Sequence, residues 1–93
     1  MAASVLSATR YRKKPVEVEA VQFTGYNHEE VCNFVGEAAS LTGPEILGWI
    51  RGIEIITLEG MMHVSPGDWI VKVDGDFIPK SNLYFLATYE LVK

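Results

Sequence analysis

Apolar and polar residues alternate from Val16 to Ala20, with Val16, Val18 and Ala20 on one side and Glu17 and Glu19 on the other. A period of two predicts a half-buried strand. Val21 and Phe23 then fall on the opposite side, which a bulge or burial on both faces would accommodate. Pro15 suits the first position of such a strand. Thr24-Gly25-Tyr26 signals a turn. Asn27 follows at a helix N-cap position, with Glu30 three residues on in a capping-box arrangement. Glu29 and Glu30 in the first turn suit the helix dipole. Val31, Phe34 and Val35 give the i, i+3, i+4 stripe of a helix over residues 28–35. Its end frays through Ala39, and Gly36 weakens or terminates it.

Residues 40–44, Ser-Leu-Thr-Gly-Pro, read as a loop. Ile46 to Ile50 reads as a strand, and Gly52 divides it from the β-branched run Ile53 to Leu58. Glu59-Gly60 turns the chain into a strand over Met61 to Val64. Ser65-Pro66-Gly67-Asp68 places proline and then glycine at its centre, the pair preferred in a type II turn. Trp69 to Val73 is a strand, and Asp74-Gly75 is the strongest hairpin signal in the chain. It leads into Asp76-Phe77-Ile78, which Pro79 ends or demotes to a sheet edge. Ser81 and Asn82 cap one short turn holding Leu83, Tyr84 and Phe85, and Thr88 to Val92 reads as a last strand. Short strands joined by tight turns predict antiparallel pairing. The expected class is α+β: a small curled antiparallel sheet or open barrel with one crossing helix.

The chain has 93 residues, enough for one domain. We place it at residues 10–93, after an extension over residues 1–9. A domain of this size buries only about 60% of its unfolded surface. Its two tryptophans, four tyrosines and four phenylalanines therefore serve either its core or a homo-oligomer. The net charge of −4 argues against a general nucleic-acid binder. The charge is also uneven. Residues 10–14 hold four of the eight basic groups, so residues 15–93 carry four basic and twelve acidic groups, a net of −8. The basic segment is solvated, folds back on acidic neighbours such as Glu17 and Glu19, or acts as a phosphate-contacting arm. Arg10, Arg12, Lys13 and Lys14 follow the weakly apolar start, whereas a secretory signal places its positive charge first. No apolar run approaches the ~20 residues of a membrane span. The expected setting is cytoplasmic. A single cysteine, Cys32, excludes an intrachain disulfide framework and a multi-cysteine zinc site.

Three blocks carry a family likeness. Residues 12–25, opening Arg12-Lys13-Lys14-Pro15-Val16, resemble the N-terminal signature of small proteins encoded by tailed phages and prophages. Val64 to Lys72 is similar to their central Pro-Gly-Asp-aromatic block, and Phe85 to Glu90 to their C-terminal block. The blocks occur in the family's order and span residues 10–92. The resemblance implies a viral or prophage origin, a bacterial host cytoplasm, and no particular catalytic residue. Family members often carry a glycine-containing segment after the lysine. Here Val73-Asp74-Gly75-Asp76-Phe77 is compact and predicts a tighter hairpin.

No catalytic set stands out. His28 and His63 are the only histidines, and no short metal-ligand spacing appears, so neither a metal nor a cofactor is expected. Cys32 lies beside core positions of the predicted helix, where a small buried thiol is ordinary. The binding candidates are clearer. The Ser65–Asp68 turn would mount Asp68 and Trp69 at a pocket rim. Trp69, Val71 and Val73 share one strand face, and Ile70, Lys72 and Asp74 the other. An anionic, nucleotide-like ligand would be held by Lys72 with Arg12 or Lys14 and stacked on Trp69, Tyr84 or Tyr89. The expected function is a non-catalytic phage accessory protein that binds a host molecule, either a host protein or a sequestered nucleotide-like defence signal. The alternative is a virion assembly protein acting through homo-oligomerisation.

Overall fold

A computed structural model describes residues 17–92. The extension over residues 1–9 and the basic residues Arg12 and Lys14 lie outside the described residues. The elements run β1 (Glu19–Gln22), α1 (His28–Val35), β2 (Ala39–Thr42), β3 (Gly52–Thr57), β4 (Gly60–Val64), β5 (Trp69–Val73), β6 (Asp76–Lys80) and α2 (Asn82–Thr88). All strand pairs are antiparallel. They form two three-stranded sheets, ordered β1-β5-β6 and β2-β3-β4. The class is α+β, as expected. Among the described residues the sheets do not close into a barrel, and two α-helices are present rather than one.

The core lies between the sheets. Ile53, Ile55 and Val64 from the second sheet meet Ile70 from the first, and Phe23, Val31, Val35 and Ile50 complete the cluster. Val31 and Val35 are the buried stripe of α1, as the spacing predicts. Phe34 reaches the first sheet edge-on to Phe77, with ring centroids 5.4 Å apart. Pairing brings Val21 opposite Ile70, and Phe77 opposite Lys72, on this core-facing side. Ala20, Trp69, Val71 and Val73 face the other way by alternation. Both faces of the first sheet are therefore covered, and that accounts for the apolar switch at Val21 without a bulge.

Asn27 occupies the helix start, but its side chain does not cap in the usual manner. Its amide donates to the Gln22 carbonyl at 2.7 Å and to Glu30 Oε1 at 2.8 Å, and its Oδ1 accepts from Thr24 N at 2.8 Å. It ties α1 to the end of β1. After Val35, one 3-10 turn over Gly36–Ala38 takes up the predicted fraying.

The Ser65–Asp68 turn closes with Asp68 N donating to the Ser65 carbonyl at 2.9 Å, and Gly67 has φ +99°. This is the type II geometry. Asp74 (φ 50°) and Gly75 (φ 83°) form a type I′ hairpin turn. Pro79 does not end β6. It pairs with Ile70 on an edge strand, where a missing N–H is tolerated.

Three expectations are corrected. Ala39–Thr42 is a strand, β2, because β3 supplies a partner edge for a segment with weak alternation of its own. Ile46–Ile50 is not a strand. Ile46 and Trp49 bond each other's backbone at 2.9 Å in both directions, across a reversal at Leu47 and Gly48. Thr88–Val92 is not a strand either. The helix begun at Ser81 runs through Thr88, and the segment after it forms no ladder.

Trp49 packs over Gly25 so closely that a Cβ on Gly25, whose φ is +94°, would collide with the indole ring. Nothing lies within 4 Å of a Cβ on Gly67. Gly25→Ala should thus cost ~3 kcal/mol from overlap and backbone strain together. Gly67→Ala should cost only the strain, about 1–2 kcal/mol. Urea unfolding midpoints of the two variants will rank them; equal losses would contradict the Trp49 packing.

Candidate functional site

The solvent-side face of β5 carries an aromatic wall. Ser81 starts α2, its hydroxyl accepting from Tyr84 N at 3.2 Å. This directs Phe85 onto Trp69, with ring centroids 3.9 Å apart and planes 6° from parallel. Tyr89 extends the wall, 5.0 Å from Phe85. Trp69 Nε1 donates to Asn82 Oδ1 at 2.9 Å, and Gln22 Nε2 approaches the same oxygen at 3.4 Å and the Gly67 carbonyl at 3.1 Å. Asn82 therefore joins α2, β1 and β5 through one acceptor. No residue of α2 is fully buried. The helix is held by this stack and these bonds rather than by a deep apolar face.

Between α2 and the sheet runs an open groove of ≈ 1480 Å³. Val18, Ala20, Trp69 and Val73 line it from the sheet, and Tyr84 to Leu86 and Thr88 to Val92 from the helix and the segment after it. Three carboxylates border it: Glu17, Asp74 and Glu90. Lys72 is the one basic residue in the described lining, but its ammonium is directed elsewhere. It lies 4.0 Å from Glu19 Oε1 and 5.9 Å from the Phe77 ring centroid, toward the core-facing side. The described lining is mostly apolar, with these three acidic residues and Lys72 among it.

Four of the residues singled out from the sequence border this groove: Trp69, Lys72, Tyr84 and Tyr89. Asp68 does not. Its Oδ2 accepts from Ser65 N at 3.0 Å, and its carbonyl accepts from Phe23 N at 2.9 Å, so its bonds serve the turn. Trp69 offers no free ring face on the side of Phe85 and no free N–H. Tyr84 is half-exposed, with the Lys80 ammonium 4.8 Å from its ring centroid. Phe85, Asn82 and Leu86 are not among the binding candidates read from the sequence. Only the Ser81-Asn82 capping signal pointed toward them.

The other chemistry-bearing groups are dispersed. No group of three or more His, Cys, Asp or Glu residues is placed to hold a metal among the described residues. His28 Nε2 contacts Glu45 Oε1 at 3.3 Å, joining α1 to the 44–49 loop. His63 packs its ring against Gly52 on the outer face of the second sheet. Burial pushes the Cys32 thiol above its ordinary range, the opposite of what activates a nucleophile. Among the described residues, no helix is long and apolar enough to cross a membrane.

No protein-family model matches the chain, and neither a curated protein nor a solved structure matches it significantly.

Two outcomes follow for this region. Asn82→Ala leaves the part-buried indole N–H of Trp69 without its acceptor, which costs about 1 kcal/mol, and tryptophan fluorescence should change while far-ultraviolet circular dichroism of the sheets persists. An unaltered emission spectrum would contradict the Trp69–Asn82 bond. Cys32 should alkylate slowly at neutral pH, with the rate rising only above the pH at which free thiols ionise. Rapid labelling at pH 7 would contradict a thiol whose ionisation is suppressed by partial burial.

Proposed function

We propose that this chain is a non-catalytic binding protein of phage or prophage origin that holds a host polypeptide in the groove between β5 and α2. The observation that supports this reading is the aromatic wall of Trp69, Phe85 and Tyr89 above an apolar floor, bordered by Glu17, Asp74 and Glu90. Aromatic residues in a concave surface anchor polypeptide partners through large apolar contact. The acidic border selects basic residues in the partner and repels phosphates. Of the two ligand classes expected from the sequence, the described lining therefore favours a polypeptide over a nucleotide-like anion. The phage origin rests on the resemblance of residues 12–25, 64–72 and 85–90.

A second reading has its own observation. Ile56 and Met61 are paired neighbours on the outer face of β3 and β4, each about 60% exposed, and Leu58 projects from the turn beside them. Among the described residues β2 and β4 are also the outer strands of that sheet. A virion assembly protein would use such a face to meet further copies of itself.

The discriminating experiment compares Leu86→Asp with Ile56→Asp in the full chain. Both residues are exposed, so both variants should fold. Leu86→Asp should weaken binding to a basic-apolar host peptide at least tenfold, while Ile56→Asp leaves it unchanged. If Ile56→Asp instead dissociates a stable oligomer and Leu86→Asp has no effect on any binding, the assembly reading replaces the first. Native mass spectrometry of wild-type chain mixed with deproteinised lysate from infected cells adds a third arm. A discrete small mass gained there, and lost in Leu86→Asp, would replace the polypeptide by a small molecule.

A further inference from the structure

We propose that the groove is a docking surface for the chain's own basic segment, residues 10–16. The described lining of the groove includes Glu17, Asp74 and Glu90, and its one lysine, Lys72, lies 4.0 Å from Glu19. The segment Arg10-Tyr11-Arg12-Lys13-Lys14-Pro15-Val16 carries four of the chain's eight basic residues and no acidic one. It joins the described fold at Glu17, which is itself a lining residue of the groove. The occupant and the site thus meet at one peptide bond.

The reach suffices. Seven extended residues span at most about 23–25 Å, more than the five residues of β5 that form the floor's length. The chemistry matches as well. Arginine and lysine side chains lay apolar stems along an aromatic or aliphatic surface while their charged ends reach carboxylates. Tyr11 and Val16 add apolar contact for a floor of Val18, Ala20 and Val73. Covalent attachment gives the segment an effective concentration in the millimolar range, so a contact too weak to hold a free peptide is still populated.

The contact stands without any host partner. Where the groove also binds a host polypeptide, the segment competes for the same carboxylates and sets a threshold for binding.

The test uses the full chain and the indole N–H resonances of its two tryptophans. Trp69 lines the groove, whereas Trp49 sits against Gly25 and Tyr26 and reports only on folding. Arg12→Glu with Lys14→Glu should shift the Trp69 signal and leave Trp49 in place. Asp74→Lys with Glu90→Lys should also move Trp69. Combining the two pairs should return it toward the wild-type position. Raising salt should carry the wild-type signal toward that of the Arg12→Glu, Lys14→Glu variant. A Trp69 signal indifferent to the segment's charge would overturn the proposal. So would a shift that depends on protein concentration, because the occupant would then be a second copy. Loss of host-peptide binding with an intact charge-swap response would refute the proposed function alone.

Discussion

The structure depends on burying two adjacent residues of one strand in opposite directions. Ile70 and Val71 are both fully buried, and a strand turns successive side chains to opposite faces. The sheet of β1, β5 and β6 must therefore be covered twice. On one side lies the core, where α1 and the second sheet supply Val31, Val35, Ile53 and Ile55. On the other, the seven-residue α2 packs on the sheet through Phe85 stacked on Trp69. A cover that short does not close the surface. Its incomplete fit along the β5 face is the groove.

The two covers are built differently. The core side uses a cluster of fully buried residues, mostly aliphatic, with Val21, Phe34 and Phe77 partly buried at its edge. The α2 side uses one stacked aromatic pair, one tilted neighbour and one shared acceptor on Asn82. Regions held by few buried contacts open at lower free energy than the core. The groove accordingly lies on the less stable side of the molecule, while Gly25, Trp49 and Asn27 fix the join between β1 and α1 on the other.

Much of the fold is legible in local chemistry. Residues 28–35 form the helix that their apolar spacing predicts. Pro66-Gly67 and Asp74-Gly75 each demand one backbone geometry, and each adopts it. Segments whose state depends on distant partners were harder to read. Ala39–Thr42 is a strand only because β3 lies beside it. Ile46–Ile50 contains a leucine at φ 52° and 98% exposed, an occupant that type I′ turn preferences do not anticipate. Thr88–Val92 has strand-forming residues but meets no free edge. The candidate site was partly visible for the same reason. Aromatic residues and Trp69's face could be counted along the chain, but the partner of Trp69, Phe85, depends on how α2 crosses the sheet. The direction of the Lys72 ammonium depends on Glu19, which only pairing brings opposite.

Hydrogen exchange on Phe85→Ala tests the central claim most directly, since that change removes the ring on which Trp69 stacks. If α2 is held mainly by this pair, its amides from Tyr84 onward will lose protection. The amides of Ile53, Ile55 and Val71 will stay close to their wild-type rates. Unchanged protection in α2, or protection lost equally in β3 and β5, would contradict a helix docked on the sheet through Trp69 and a groove formed by that docking.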